Sequence, residues 1–321
     1  MKVAILGAGA FGTAIAVALA AGGETVGLWA RSADHAEKMR QGRENQSRLP
    51  GVTLPKNVSI SAEIEDFRAA ETLVLAMPTQ QLSSFVESHL AQLRGKNCVL
   101  CAKGIDLETG RGPTAILRGS LEGSHPAILT GPSFAQDIAR GLPTALTLAC
   151  DADKIGEALQ ALLSTPDLRI YRTTDTTGAE LGGALKNVMA IAAGIVIGAG
   201  LGDSARAALM ARGFSEMARL AIAFGGRFET ITGLSGLGDL ILTCTSEQSR
   251  NFRFGAALGA GRDFDPTITV EGVATSKAVV RIAEAAEIDM PISAMVAALV
   301  DRKIDVSSAV TALMARPLKK E

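Results

Sequence analysis

Lys2-Val3-Ala4-Ile5-Leu6-Gly7-Ala8-Gly9-Ala10-Phe11-Gly12 decides how the rest of the chain is read. A short apolar run ends in G-x-G-x-x-G, and an Ala-rich helical stretch, Ala10 to Ala21, follows at once. In such a strand–turn–helix unit the first glycine permits the tight turn. The second lets a pyrophosphate approach the backbone, and the third lets helix and strand pack closely. The helix N-terminus adds free N–H groups and a partial positive charge for the anion. The motif therefore predicts a dinucleotide site at Gly7, Gly9 and Gly12 rather than a merely structural turn. Met1 to Leu19 is apolar, yet Lys2 is its one early charge and three glycines interrupt it. A secretory leader needs a basic start and a continuous apolar centre, so the stretch is expected to belong to the fold.

Outward from this unit the first half of the chain alternates short β-type runs with helical stretches. Thr25–Trp29, Thr72–Ala76, Cys98–Ala102, Ala127–Thr130 and Ala145–Ala149 read as strands. Their nearly continuous apolar character fits strands covered on both faces, and the alternation with helices implies a mainly parallel sheet with right-handed crossovers. Tyr171 to Gly178 is polar and turn-prone and reads as a connector between domains. Beyond it, helical stretches such as Ala205–Phe224, Ser276–Ala286 and Ile292–Val300 take over, with Pro291 at a helix start and Gly225-Gly226 at a stop. The expected fold is α/β. A doubly wound, mainly parallel dinucleotide-binding sheet occupies 1–174, and an all-helical substrate and catalytic domain occupies 175–321. Val188 to Gly202 carries no charge, but it is short of a bilayer crossing of about 20 residues and reads as a buried helix.

Composition excludes several classes. Of 321 residues, 47% are hydrophobic and 20% charged, which is enough for a sizeable core and unlike a disordered chain. Lys+Arg at 32 against Asp+Glu at 33 gives a net charge of −1, which argues against general affinity for nucleic acid or anionic membrane. The four cysteines suggest no disulfide framework and fit a reducing cytoplasm. Cys98 and Cys101 have C-x-x-C spacing, but in a strand positions i and i+3 face opposite sides, so no metal site is expected there.

Strand two ends Trp29-Ala30-Arg31-Ser32, and Asp34, the nearest acid, falls in the next helix. An NAD site places an acid there for the ribose 2′-OH; Arg31 could instead meet a 2′-phosphate bidentately, with Ser32 as an extra donor. The reading leans to NADP with NAD possible, the alternative being that Arg31 is a solvated surface residue. Alcohol–ketone chemistry at a nicotinamide also moves a proton. His35, His89 and His125 sit in surface helices or a turn, so the absence of a placed histidine points to lysine. Lys186 leads into the uncharged stretch, and desolvation there would lower its pKa toward neutrality. The other reading has its ammonium reaching water from a helix end. Lys103 follows a strand at the carboxyl edge where doubly wound sheets bind ligands, and Gly131-Pro132-Ser133 follows the next strand. A rim lysine and an ordinary helix cap are the plain alternatives. Gly233 to Arg253 gathers glycines, small hydroxyls and Arg250 before a helix, which suits a phosphate cradle as well as a plain turn.

These residues, in this order, resemble the bacterial-type NAD(P)-dependent sn-glycerol-3-phosphate dehydrogenase family almost end to end. The resemblance rests on Gly7–Gly12, Ala102-Lys103-Gly104, Gly131–Ala135, Leu181–Val188, Gly236–Leu240, Thr243–Ser246 through Ser249-Arg250-Asn251, and Val270–Val273. It implies reversible reduction of dihydroxyacetone phosphate to sn-glycerol 3-phosphate, the backbone precursor of phospholipids. Lys186 looks like the proton-transfer residue. Lys103, Gly131, Ser133, Lys186 itself, Asp239, Ser249, Arg250 and Asn251 look like substrate contacts. Gly7, Gly9, Ala10, Phe11, Gly12, Arg31, Lys103, Ala135, Arg250 and Glu271 fall where the family meets the cofactor. The family is cytoplasmic and commonly dimeric, which implies a homodimer acting on a small phosphorylated three-carbon substrate, with no nucleic acid and no membrane insertion. Asp137 departs from the family's Glu and weakens any role for that acid. Two rivals stand beside this reading, a 3-hydroxyacid dehydrogenase of similar layout and a non-catalytic NADP-sensing protein.

Overall fold

The structure, a computed structural model, describes residues 1–315. Its contacts gather into two units. Unit 1 is Met1–Lys103 with Gly112–Glu180; unit 2 is Gly104–Arg111 with the described residues from Leu181 on.

Unit 1 holds ten strands: β1 (Val3–Leu6), β2 (Val26–Trp29), β3 (Glu44–Asn45), β4 (Leu49–Thr53), β5 (Val58–Ser61), β6 (Thr72–Leu75), β7 (Asn97–Leu100), β8 (Ala127–Thr130), β9 (Thr144–Ala149) and β10 (Leu168–Thr173). Between them run α1 (Ala10–Ala21), α2 (Ala33–Gly42), α3 (Leu82–Ser88), α4 (Leu90–Leu93), α5 (Pro113–Ser120), α6 (Ala135–Ala139) and α7 (Asp153–Leu163). Eight strands form one sheet in the order β10-β9-β8-β7-β6-β1-β2-β5, parallel throughout except where β8 meets β9. After β1 the chain builds outward to β2 and β5, then returns to lay β6 on the other side of β1. That reversal is the switch point at which open α/β sheets bind ligands, outside the carboxyl ends of the strands. The continuous apolar runs are explained by two cores. Val3 and Ile5 of β1 enter one cluster with α1, while Ala4 and Leu6 enter the other with α3 and α5. Cys98 and Cys101 divide between the same two clusters, each buried among apolar neighbours.

Three features went unread in the sequence. β5 and the β3–β4 hairpin are short and polar in part. The proposed connector from Tyr171 is corrected: β10 runs on to Thr173 and the next helix begins at Thr176. β10 is an edge strand whose side chains alternate between the core (Leu168, Ile170) and solvent (Arg169, Tyr171), so its sequence looks polar. Asp175 accepts from the N–H of Gly178 at 2.8 Å and starts the helix that follows.

Unit 2 is helical: α8 (Thr176–Gly198, whose first residues through Glu180 cluster with unit 1), α9 (Gly202–Ala223), α10 (Phe228–Thr232), α11 (Asp239–Cys244), α12 (Arg250–Gly259), α13 (Glu271–Ala285), α14 (Pro291–Val300) and α15 (Val306–Met314). α8 is long and apolar enough to cross a membrane by length and composition, but 83% of its apolar window is buried inside the protein. Its partner α12 lies at close range because both contribute glycines. A Cβ on Gly194 would strike the carbonyl of Phe252, and one on Gly255 would strike that of Ile191. Pro291 opens α14, and Glu216 of α9 caps that helix by accepting from Ile292 N at 2.6 Å and from the Ser293 N–H and hydroxyl.

Candidate active site

In unit 1 the glycine turn has the geometry its sequence foretold. Gly7 has φ +124°, and a Cβ there would lie 2.5 Å from the Ala76 carbonyl oxygen. Gly12 packs against Gly7 and Ile5, where a Cβ would collide with backbone. Around Gly9, by contrast, nothing lies within 4 Å of an added Cβ. The middle glycine therefore faces open space at the start of α1, which is where a pyrophosphate needs to approach. These residues fit a dinucleotide. Ala10 and Phe11 form the first turn of α1 and pack half-buried on the core.

The carboxyl edge of the sheet collects the rest of the unit 1 set. Arg31 is exposed just past β2, and Ser32 caps α2 by accepting from His35 N at 3.3 Å. Asp34 lies within α2, paired with Lys38 at 2.7 Å. Past β7, the Lys103 ammonium donates to the carbonyl of Gly131 at 2.9 Å, past β8. Ser133 Oγ donates to that same carbonyl at 3.4 Å. It does not cap α6, which begins at Ala135 with no side-chain cap. Lys103, Gly131 and Ser133 thus converge on one carbonyl group.

In unit 2 the decisive side chain is Lys186. It lies midway along α8, 7% exposed, and its Nζ donates to Asp239 Oδ1 at 2.8 Å and to Thr243 Oγ1 at 2.7 Å. Asp239 and Thr243 are one turn apart on α11, and the Thr243 hydroxyl donates to Asp239 Oδ1 at 3.2 Å. The alternative of an ammonium reaching water from a helix end is overturned by this burial. Desolvation alone would favour the free amine; the carboxylate against it favours the ammonium. α11 reaches Lys186 because Gly182 on α8 leaves room for the turn before it, where a Cβ would lie 2.7 Å from the Ser235 carbonyl oxygen.

Beside this group, α12 begins with Ser249 as its cap, accepting from Phe252 N at 3.2 Å. Arg250 is exposed at the first helical position, and Asn251 is buried. Asn251 donates to Asn187 Oδ1 at 2.9 Å and accepts from Gly272 N at 3.0 Å. Through it the starts of α12 and α13 are tied to α8 next to Lys186, which places Glu271, first residue of α13, in the same network's surroundings. Thr243 and Asn187 were within quoted motifs but carried no role. Their signals were spacing (Thr243 four residues after Asp239) and adjacency to Lys186. Burial pushes the Cys244 thiol up to about 12, so no thiolate competes for chemistry beside Lys186. The histidines have other employment: His35 bonds Asn45 at 2.9 Å, His89 stacks on Phe85, and His125 lies against Asp151.

Comparison with known proteins bears on both halves of the chain. Residues 2–156 match the family described as NAD-dependent glycerol-3-phosphate dehydrogenase N-terminus, and residues 175–311 match its C-terminus. The chain is 57% identical over 321 residues, all of both chains, to the glycerol-3-phosphate dehydrogenase [NAD(P)+] of Ruegeria sp. (strain TM1040). The same enzyme of Paracoccus denitrificans (strain Pd 1222) is also 57% identical over the full length of both. The crystal structure of glycerol-3-phosphate dehydrogenase from Coxiella burnetii superposes with a TM-score of 0.94 at 35% identity, covering 98% of this chain and 99% of that one. With both halves matched and full-length relatives at this identity, the chain belongs to the NAD-dependent glycerol-3-phosphate dehydrogenase family.

Proposed function

We propose that this chain interconverts dihydroxyacetone phosphate and sn-glycerol 3-phosphate with NAD(P), leaning to NADP, and so supplies the glycerol phosphate backbone of phospholipids. The observation that carries the mechanism is the buried Lys186 ammonium held by Asp239 and Thr243. Residues 1–174 supply most of the dinucleotide contacts, and residues 175–321 supply most of the substrate contacts and move the proton. When bound, the nicotinamide supplies or accepts the hydride at the substrate's central carbon. Lys186 Nζ gives its proton to the carbonyl oxygen that becomes the hydroxyl, and recovers one from solvent. Asp239 keeps the amine charged and aimed, and Thr243 fixes its remaining direction.

The substrate phosphate is held by Arg250 and by the N–H groups of the first turn of α12 beside Ser249 and Asn251, a helix N-terminus being suited to an anion. Lys103, Gly131 and Ser133 orient the three-carbon chain. Gly7, Gly9, Ala10, Phe11, Gly12, Arg31, Lys103, Ala135, Arg250 and Glu271 contact the cofactor. Arg31 at the end of β2, with no acid at that corner before α2, supports the preference for a 2′-phosphate. A cytoplasmic homodimer belongs to the same reading.

The test is the fall of NADPH absorbance when purified protein meets dihydroxyacetone phosphate, repeated with NADH. Oxidation of NADPH with this ketone and a lower KM for NADPH than for NADH are expected. No oxidation with either nucleotide overturns the proposal.

A further inference from the structure

The glycine turn of unit 1 is held by a side chain from outside the main sheet. β3 and β4 form a separate antiparallel hairpin whose register shifts between Glu44 and Asn45. Such an irregularity re-aims a side chain, and Asn45 is 0% exposed. Its Nδ2 donates to the Ala8 carbonyl at 3.0 Å and to Thr13 Oγ1 at 2.8 Å. Both amide protons are thereby used, so Oδ1 is left to accept. His35 Nε2 lies 2.9 Å from that oxygen and must be its donor, and Ser47 Oγ donates to it at 3.4 Å. The backbone N–H of His35 is the one that Ser32 caps, and Arg31 precedes Ser32. The hairpin is itself anchored. Arg43, at φ 46°, donates to the carbonyls of Leu54, Pro55 and Val58, and Glu44 accepts from Gly51 N at 2.8 Å.

The peptide geometry gives this link a consequence. The Ala8 carbonyl and the Gly9 N–H belong to one trans peptide unit, so they point in opposite directions. Holding the carbonyl on Asn45 aims the Gly9 N–H the other way. Freed, that peptide could turn its carbonyl toward an anion and repel it. We propose that Asn45 is a positioning residue for the dinucleotide. It fixes the pyrophosphate turn through Ala8 and, through His35, holds the Arg31–Ser32 corner in register with it. A preference for a 2′-phosphate then depends on this link.

The inference rests on the dinucleotide reading above, and direct binding separates the two. Nicotinamide fluorescence is titrated with NADPH and with NADH on wild type, Asn45→Ala, His35→Ala and His35→Gln. Asn45→Ala is expected to weaken both nucleotides about tenfold, the order of one or two lost buried hydrogen bonds. His35→Ala is expected to weaken NADPH at least about threefold more than NADH. His35→Gln, whose Nε2 can donate to Asn45, restores the ratio. Unchanged affinities in Asn45→Ala, an equal loss of both nucleotides in His35→Ala, or no recovery in His35→Gln overturns the inference while leaving the cofactor reading intact. Should Asn45→Ala not fold, the half-buried His35 pair decides the matter. A wild-type chain that binds neither nucleotide overturns both readings.

Discussion

Lys186 is a cation on a helix that is otherwise apolar for most of its length, and its buried amine donates to Asp239 and Thr243. Replacing it by Met keeps the volume and removes the proton. Turnover is expected to fall by about 10²–10⁴, the usual contribution of a general acid, with NADPH affinity unchanged in the same fluorescence titration. Asp239→Asn acts differently, because it leaves the ammonium buried without a counter-charge. Breaking one side of a buried pair costs about 3–5 kcal/mol, so denaturant unfolding should show a large loss of stability alongside the loss of turnover. An Asp239→Asn chain as stable as wild type would mean that the pair is not holding the charge.

Within each unit, particular contacts join neighbouring elements closely. α8 and α12 approach so closely that a methyl group on Gly255 meets the Ile191 carbonyl. Overpacking of this kind typically costs about 1–3 kcal/mol, so Gly255→Ala should lower the urea midpoint without changing its slope. A second contact joins α8 to α5 inside unit 1. The Glu180 carboxylate accepts from Thr114 N at 2.6 Å and from the Thr114 hydroxyl at 2.8 Å, and burial pushes its pKa up to about 7. Its unfolded value lies near 4.5, so between those limits the folded chain binds a proton that the unfolded chain has released. The stability from this group is therefore whole below about pH 4.5, declines as pH rises to 7, and is flat above. Glu180→Gln cannot titrate. Relative to wild type it should gain about 1–3 kcal/mol between pH 5 and pH 8, read from urea unfolding at both values. An equal difference at the two pH values would contradict the shift.

At the scale of the whole molecule, ligand binding and folding are linked. NADPH at a hundred times its Kd should stabilise the chain by about 2.7 kcal/mol, and Lys186→Met should keep that gain, since Lys186 is not among the residues assigned to the dinucleotide. Loss of the gain in this variant would place the lysine in cofactor binding instead. Light scattering at working concentration checks the homodimer, for which a mass twice that of the 33.1 kDa chain is expected.

The sequence alone determined the architecture and the family to which the chain belongs. Glycines at fixed offsets after an apolar run are a local backbone requirement, and local requirements are written in consecutive residues. The same holds for Pro291 at a helix start and for the continuous apolar strands. β10 and the β3–β4 hairpin escaped because an edge strand, or one outside the main sheet, is solvated on one side and looks like loop. Lys186 could be singled out as a charge entering an apolar helix, but whether its amine met water or a partner was open. Asp239 and Thr243 come 53 and 57 positions later, and Asn45 reaches a turn 37 positions earlier. Tertiary structure decided these pairings, because they depend on how closely backbones approach and which polar groups are left without water. No window of neighbouring residues carries that information.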